Sequence, residues 1–264
     1  MVLVLQFSRE YQSSCVSDLL QAAKFYPKSK QFNCMTETKM TTQLQNNRTH
    51  VILEDEDFIC QHPYNACGFV LNIGMFSFNK LGFGSSVWDA ALVLLQFFEE
   101  QKMSFANKKV IELGSGTGIL GIVTVLLGGD ATITDKPELL KQMEWNVLVN
   151  IPSSCQSRIK VRALTWGYDH MLFSSDYDYI LCADIMYAYD SAPLILKTLL
   201  HLSNEKTIIY FASTMSFGYS VINSGYQILF KHFNSQLVYR SEVNDVRVYI
   251  MTKIIQSDSV QIEH

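Results

Sequence analysis

The chain has 264 residues, 48% of them hydrophobic and 17% charged, which suits one globular domain with a sizeable core. A formal net charge of −4 and a pI near 5.9 argue against binding carried by phosphate contacts, so neither a nucleic-acid partner nor a membrane is expected. No apolar run approaches the roughly 18 uncharged residues of a membrane-spanning helix, the opening MVLVLQF lacks the charge and length of a signal peptide, and six cysteines stand without CxxC pairing or Cys/His metal spacing. The expectation is a cytoplasmic chain with no disulfide and no metal.

In chain order, residues 1–57 are polar and irregular and read as a poorly ordered extension, with one short candidate helix over 16–25. The sequon Asn47-Arg48-Thr49 is read as chance, because it matters only in a secreted protein. The domain proper is expected over 58–264. CGFVLNIGMFSF (67–78) is apolar, extended material that could form a hairpin, and SSVWDAALVLLQFFEEQ (85–101) has apolar residues at helical spacing. KKVIEL then reads as a strand, ILGIVTVLLGG as a helix closed by Gly128, DATITD as a strand, and PELLKQMEWNVLVN as a helix with Pro137 in its first turn. RIKVRALTW and YDYILCAD are strands, SAPLILKTLLHL a helix, KTIIYFAST a strand, 219–232 a helix, and QLVYR and VRVYIMTKI two last strands. Strand and helix in alternation require crossovers, hence an α/β fold whose sheet is mostly parallel with helices on both faces. The last two strands are joined too tightly for a crossover and should form an antiparallel hairpin.

The stretch VIELGSGTGILG (110–121) follows the first strand of that alternation. In such a sheet the ligand lies at the carboxyl ends of the strands, where the turn must let backbone come close. A dinucleotide turn reads G-x-G-x-x-G, which would need glycine at 119, where Ile119 stands. The spacing found is G-x-G-x-G, through Gly114, Gly116 and Gly118. It suits a ligand without a phosphate. Asp135 ends the next strand, 21 residues after Gly114, near the separation at which a carboxylate accepts hydrogen bonds from ribose hydroxyls. Alone it could equally serve as a charge at the following helix N-terminus. Together the two signals favour an adenosine ligand.

ELGSGTG (112–118), Asp135 after TIT, Leu164-Thr165-Trp166-Gly167 and Ala183-Asp184-Ile185-Met186-Tyr187 resemble the motifs of the seven-strand protein-lysine methyltransferases of the methyltransferase-like 21 group. SVWDAA, NKKVIELGSGTGILGI, GGDATITD and LTWGYDH are similar in particular to the branch that modifies elongation factor 1-alpha. The resemblance spans about 58–254. It implies a Rossmann-like S-adenosylmethionine-dependent fold, S-adenosylmethionine as cofactor, and a monomer acting on a protein, either elongation factor 1-alpha or a heat-shock chaperone.

Carried onto this sequence, the family's cofactor contacts fall on Trp88, Glu112, Gly114, Ser115, Gly116, Gly118, Asp135, Trp166 and Ala183. Trp88 would cover the methionine end of the cofactor, or else donate its indole N–H to a core carbonyl. Trp166 would meet the adenine, or simply pack. Glu112, an acid closing an apolar strand, would balance the cofactor's ammonium, since an unpaired buried charge is costly. Chemistry is placed on Asp184, orienting the target amine, and on Tyr187, an aromatic wall and hydroxyl acceptor. Asp184 is not expected to cap the helix beginning near Ser191, because the spacing for a capping hydrogen bond is wrong. A methyltransferase for RNA or a small metabolite, and a cofactor-binding module without turnover, are the competing readings.

Overall fold

The computed structural model describes residues 58–188, 190–215 and 219–254. The expectations for 1–57, the helix over 16–25 included, lie outside them. Two strands come first, β1 (Phe58–Ala66) and β2 (Phe69–Phe76), joined antiparallel through Cys67 and Gly68, both at positive φ. The hairpin therefore begins earlier than the 67–78 run that the apolar pattern singled out. Pro63 and a mixed burial pattern in β1 obscure the period of two on which a strand assignment depends.

After a short helix α1 (Phe78–Leu81) and a 3-10 turn over Gly82–Ser85 comes α2 (Asp89–Glu100), of which Ala90, Ala91, Val93, Leu94, Leu95, Phe97 and Phe98 are buried. The main sheet then alternates with its helices: β3 (Lys109–Leu113), α3 (Ile119–Leu126), β4 (Asp130–Asp135), α4 (Leu140–Asn150), β5 (Ile159–Ala163) and β6 (Tyr179–Ala183). It continues with α5 (Ser191–Leu202), β7 (Ile208–Thr214), α6 (Tyr219–Leu229), β8 (Phe233–Ser241) and β9 (Val246–Lys253). Seven strands lie in the order β5-β4-β3-β6-β7-β9-β8. β3 to β7 pair in parallel, while β9 runs antiparallel to both β7 and β8. The expected mostly parallel sheet with its closing hairpin is thus present.

The central strands divide the core by their period of two. Val110, Leu181, Tyr210 and Ala212 face the cluster that holds the buried residues of α2 and α3. Ile111, Leu113, Ile180, Cys182, Ile209 and Phe211 face the other, which holds those of α5. Strands buried on both faces read as continuous apolar runs, and each side chain here finds its layer.

One contact ties the hairpin to the sheet. Asn150, Asn146 and Gln142 stand four residues apart on α4 and meet Asn72, Gly74 and Phe76, two apart on β2. Asn150 accepts from the Asn72 N–H at 2.6 Å and donates to its carbonyl. Asn146 does the same at Gly74, and Gln142 accepts from the Phe76 N–H at 2.9 Å. Four residues of helix rise about 6 Å and two of strand about 6.7 Å, so the two spacings match. Gly74 fits because Trp145 lies across it, 2.4 Å from where a Cβ would stand.

Candidate active site

The glycine loop lies between β3 and α3. Gly114, Gly116 and Gly118 have φ of 64°, 52° and 80°, a region costly for other residues. A Cβ on Gly114 would stand 2.7 Å from Ile185 and 2.9 Å from Trp166; one on Gly116 would stand 3.0 Å from the Gly84 carbonyl oxygen. Gly121 has another use: its α-carbon packs against Ile133, where a Cβ would overlap at 2.0 Å. Ser115 turns away from the loop's open side. Its hydroxyl accepts from the Thr134 N–H at 2.9 Å and lies 3.3 Å from the Glu112 carbonyl, so it braces β3 against β4.

Glu112 is buried, 4% exposed, and accepts the Gly121 N–H at 2.9 Å. Burial pushes its carboxyl up to about 8, against the pull of the Gly121 and Ser115 donors, and the charge of Asp135 adds to the rise. The start of α3 thus already holds a carboxylic group, where a dinucleotide would seat its phosphate. Asp135 accepts the N–H groups of Gly116 and Lys136, both at 2.8 Å, and its carboxyl is also raised, chiefly by burial. Two acids at adjacent strand ends favour a ligand that brings positive charge and hydroxyl donors.

Asp184, directly after β6, has φ of 52°. One carboxylate oxygen accepts the Thr214 N–H at 2.6 Å, and the other accepts the Thr214 hydroxyl at 2.8 Å. The Ala90 N–H, in the first turn of α2, also favours the charged form of this carboxylate. The helix at Ser191 follows Asp190 at its N-cap position, so Asp184 does not cap it, in keeping with the spacing. Burial raises the Asp184 carboxyl to about 6, with the Thr214 bonds the largest of the opposing causes; at neutral pH it is largely ionised.

An aromatic chain completes the cleft. Trp166 lies 6.2 Å from Tyr187, Tyr187 lies 6.1 Å from Phe83, and Phe83 lies 5.7 Å from Trp88. The Trp88 indole N–H donates to the Phe83 carbonyl at 2.8 Å, the second of the two roles open to it from sequence. Burial, followed by the charge of Asp135, raises the Tyr187 phenol, so the hydroxyl stays protonated. Ala183 pairs with Ala212 where β6 meets β7, one residue before Asp184. The fold therefore brings every residue picked from sequence to the carboxyl ends of β3, β4, β5 and β6 or to the start of α2. Sequence reasoning passed over Phe83, Thr214 and Gln142. The one legible sign was GFGS (82–85), an aromatic between two glycines.

The family model described as lysine methyltransferase matches residues 72–226. The chain belongs to the lysine methyltransferase family. A Xenopus tropicalis protein named EEF1A lysine methyltransferase 3 is 43% identical over 190 residues, 72% of this chain and 84% of that protein. The Xenopus tropicalis protein N-lysine methyltransferase METTL21A is 40% identical over 170 residues, 64% and 78% of the two chains. Among solved structures, the 16S rRNA methyltransferase RsmC from T. thermophilus, in complex with AdoMet and guanosine, superposes with a TM-score of 0.57 at 15% identity, over 76% of this chain and 52% of that one; this likeness concerns the fold alone. For a lysine methyltransferase the cleft has two functional sides, one for the cofactor and one for the amine.

Proposed function

We propose that this lysine methyltransferase uses S-adenosylmethionine and methylates a lysine of elongation factor 1-alpha, acting as a monomer in the cytoplasm. The substrate follows the named activity of the 43% identical relative. The observation that carries the site is that Trp166 touches both sides of the cleft, lying against Gly114 and 6.2 Å from Tyr187, so the glycine cradle and the end of β6 face one space.

The donor set fits the cofactor. Gly114, Gly116 and Gly118 leave room for a ligand against bare backbone, Asp135 would accept from the ribose hydroxyls, and Glu112 would balance the ammonium. Trp166, Trp88 and Ala183 would wall the remainder. When bound, S-adenosylmethionine supplies a methyl group made electrophilic by its sulfonium.

The chain's own task is to hold a neutral lysine Nζ with its lone pair in line and to keep water out. Asp184 suits this. A carboxylate offers about four acceptor positions, and two are taken by Thr214. A position left over can accept one amine N–H, and the two Thr214 bonds fix the carboxylate in place beforehand. Its negative charge stabilises the positive charge that develops on nitrogen. Tyr187 adds a hydroxyl acceptor and a ring face for the ammonium product. No strong base is needed, because solvent takes the lysine proton before the amine enters.

Labelled cofactor incubated with this protein, purified elongation factor 1-alpha and a cell extract tests the reading. Label on the elongation factor is the expected result; label on RNA, or cofactor binding without transfer, would overturn it.

A further inference from the structure

Phe83 serves none of the roles assigned above, yet its surroundings are those of a positioned group. It is 38% exposed and sits in the Gly82–Ser85 turn. That turn is fixed from three directions. The Phe83 carbonyl accepts the Trp88 indole N–H, and the Gly84 carbonyl accepts from Gln142 Nε2 at 2.8 Å. Gln142 Nε2 lies 3.1 Å from the Gly116 carbonyl as well, and Gly84 packs so closely on Leu139 that a Cβ would stand 2.5 Å from it. A turn this constrained ordinarily carries a polar tip, since exposing an aromatic ring forgoes part of its burial energy. Here the ring leans on Tyr187 at 6.1 Å and Trp88 at 5.7 Å, with Phe78, itself exposed, behind it at 6.0 Å.

A lysine that reaches Asp184 from solvent must pass a four-carbon stem and a cationic head through this opening. The stem needs apolar walls, and the charged forms of the head are drawn to ring faces. We propose that Phe83 is a specificity-determining residue of this enzyme, forming with Tyr187 the two aromatic walls of the slot that admits the target lysine. The role rests on the methyltransferase reading given above. The Phe83 ring meets the cofactor side only where it rests on Trp88, so its side chain acts chiefly on the protein substrate and little on cofactor affinity.

Steady-state methylation of elongation factor 1-alpha with Phe83→Ala, Phe83→Leu and Phe83→Tyr, beside calorimetric titration with S-adenosylhomocysteine, tests this. Phe83→Ala should raise KM for the protein about tenfold, with kcat and cofactor affinity within a few-fold. Phe83→Tyr should restore KM, and Phe83→Leu, apolar without a ring face, should fall between. Thermal melts identify the folded variants, and a half-exposed side chain makes Phe83→Leu safe in this respect. Loss of cofactor affinity in step with activity, or Phe83→Leu indistinguishable from wild type, would overturn the assignment. The wild-type reaction separates the two ideas: no label on protein from the wild type sinks the reaction itself, whereas wild-type transfer that Phe83→Ala matches at unchanged KM sinks only the role of Phe83.

Discussion

On the cofactor side of the cleft, one continuous stretch from Glu112 to Gly121 supplies the loop, a buried acid and the helix start that holds it, and β4 adds Asp135 a strand away. On the amine side, Phe83, Tyr187, Asp184 and Thr214 come from a 3-10 turn, a loop and the ends of two strands. Backbone geometry builds the first side, and side chains meeting across the fold build the second. A change on the cofactor side should therefore appear in cofactor affinity, while a change on the amine side should appear in methylation of the protein substrate, through KM or kcat, with cofactor affinity nearly kept.

The largest expected effect tests the amine side. Asp184→Ala should lower the methylation rate on the order of a hundredfold or more, with cofactor affinity within a few-fold. It also strips the Thr214 N–H and hydroxyl of their acceptor, at a cost of roughly 2–4 kcal/mol in stability. Asp184→Asn retains an acceptor oxygen for Thr214 and should recover part of the stability but little of the rate. Mass spectrometry of the substrate and thermal melts read the two effects, and an Asp184→Asn enzyme with full turnover would remove the charge from the mechanism.

Next comes Asp135→Ala, which should weaken S-adenosylhomocysteine binding by roughly 1.5–3 kcal/mol, the range for hydrogen bonds to a charged partner. Unaltered calorimetric affinity in the folded variant would take Asp135 out of the cofactor side.

A subtler effect is the pH dependence of the ligand-free protein. Glu112 titrates near 8 in the folded chain against 4.5 for an unperturbed glutamate, so between those values the folded state holds a proton that the unfolded state has released. Its contribution makes stability fall as pH rises through that window. Glu112→Gln, which keeps an acceptor for the Gly121 N–H, should flatten the trend. Melts from pH 5 to 8 with equal slopes in both proteins would contradict the raised carboxyl.

The smallest change is Tyr187→Phe, which keeps the ring wall and removes one acceptor. A few-fold loss of rate, or an altered ratio of mono- to higher-methylated product, is expected; complete inactivity would show that the hydroxyl does more than accept a hydrogen bond.

The same contrast explains what could be read from sequence. The glycine spacing and Asp135 are local, because three alternate positions in one loop have positive φ and need glycine and a strand–helix–strand unit sets the distance to the next carboxylate. The mostly parallel sheet and its closing hairpin followed from elements whose period was clear. Phe83 was lost because GFGS reads as a linker, and nothing along the chain shows that Trp88 and Gln142 hold it. The hold of Thr214 on Asp184 was missed because spacing arguments reach only neighbouring elements, and the two are 30 positions apart in sequence. In α4 the polar residues Gln142 and Asn146 are fully buried; polarity pattern alone would put them in water.

Those amides have a consequence for the protein's behaviour in a crowded solution. A strand edge with open N–H and C=O groups is a template for another chain. Over Asn72, Gly74 and Phe76, β2 spends those groups on the side chains of α4, so this stretch of edge is closed to strand addition without a proline, a bulge or a charge within it. Asn146 donates in the same way to the Thr117 carbonyl, and Gln142 to that of Gly116. The residues that keep this edge from recruiting foreign strands are thus the ones that hold the glycine loop in shape, and a lesion that opened the edge to aggregation would loosen the cofactor loop at the same time.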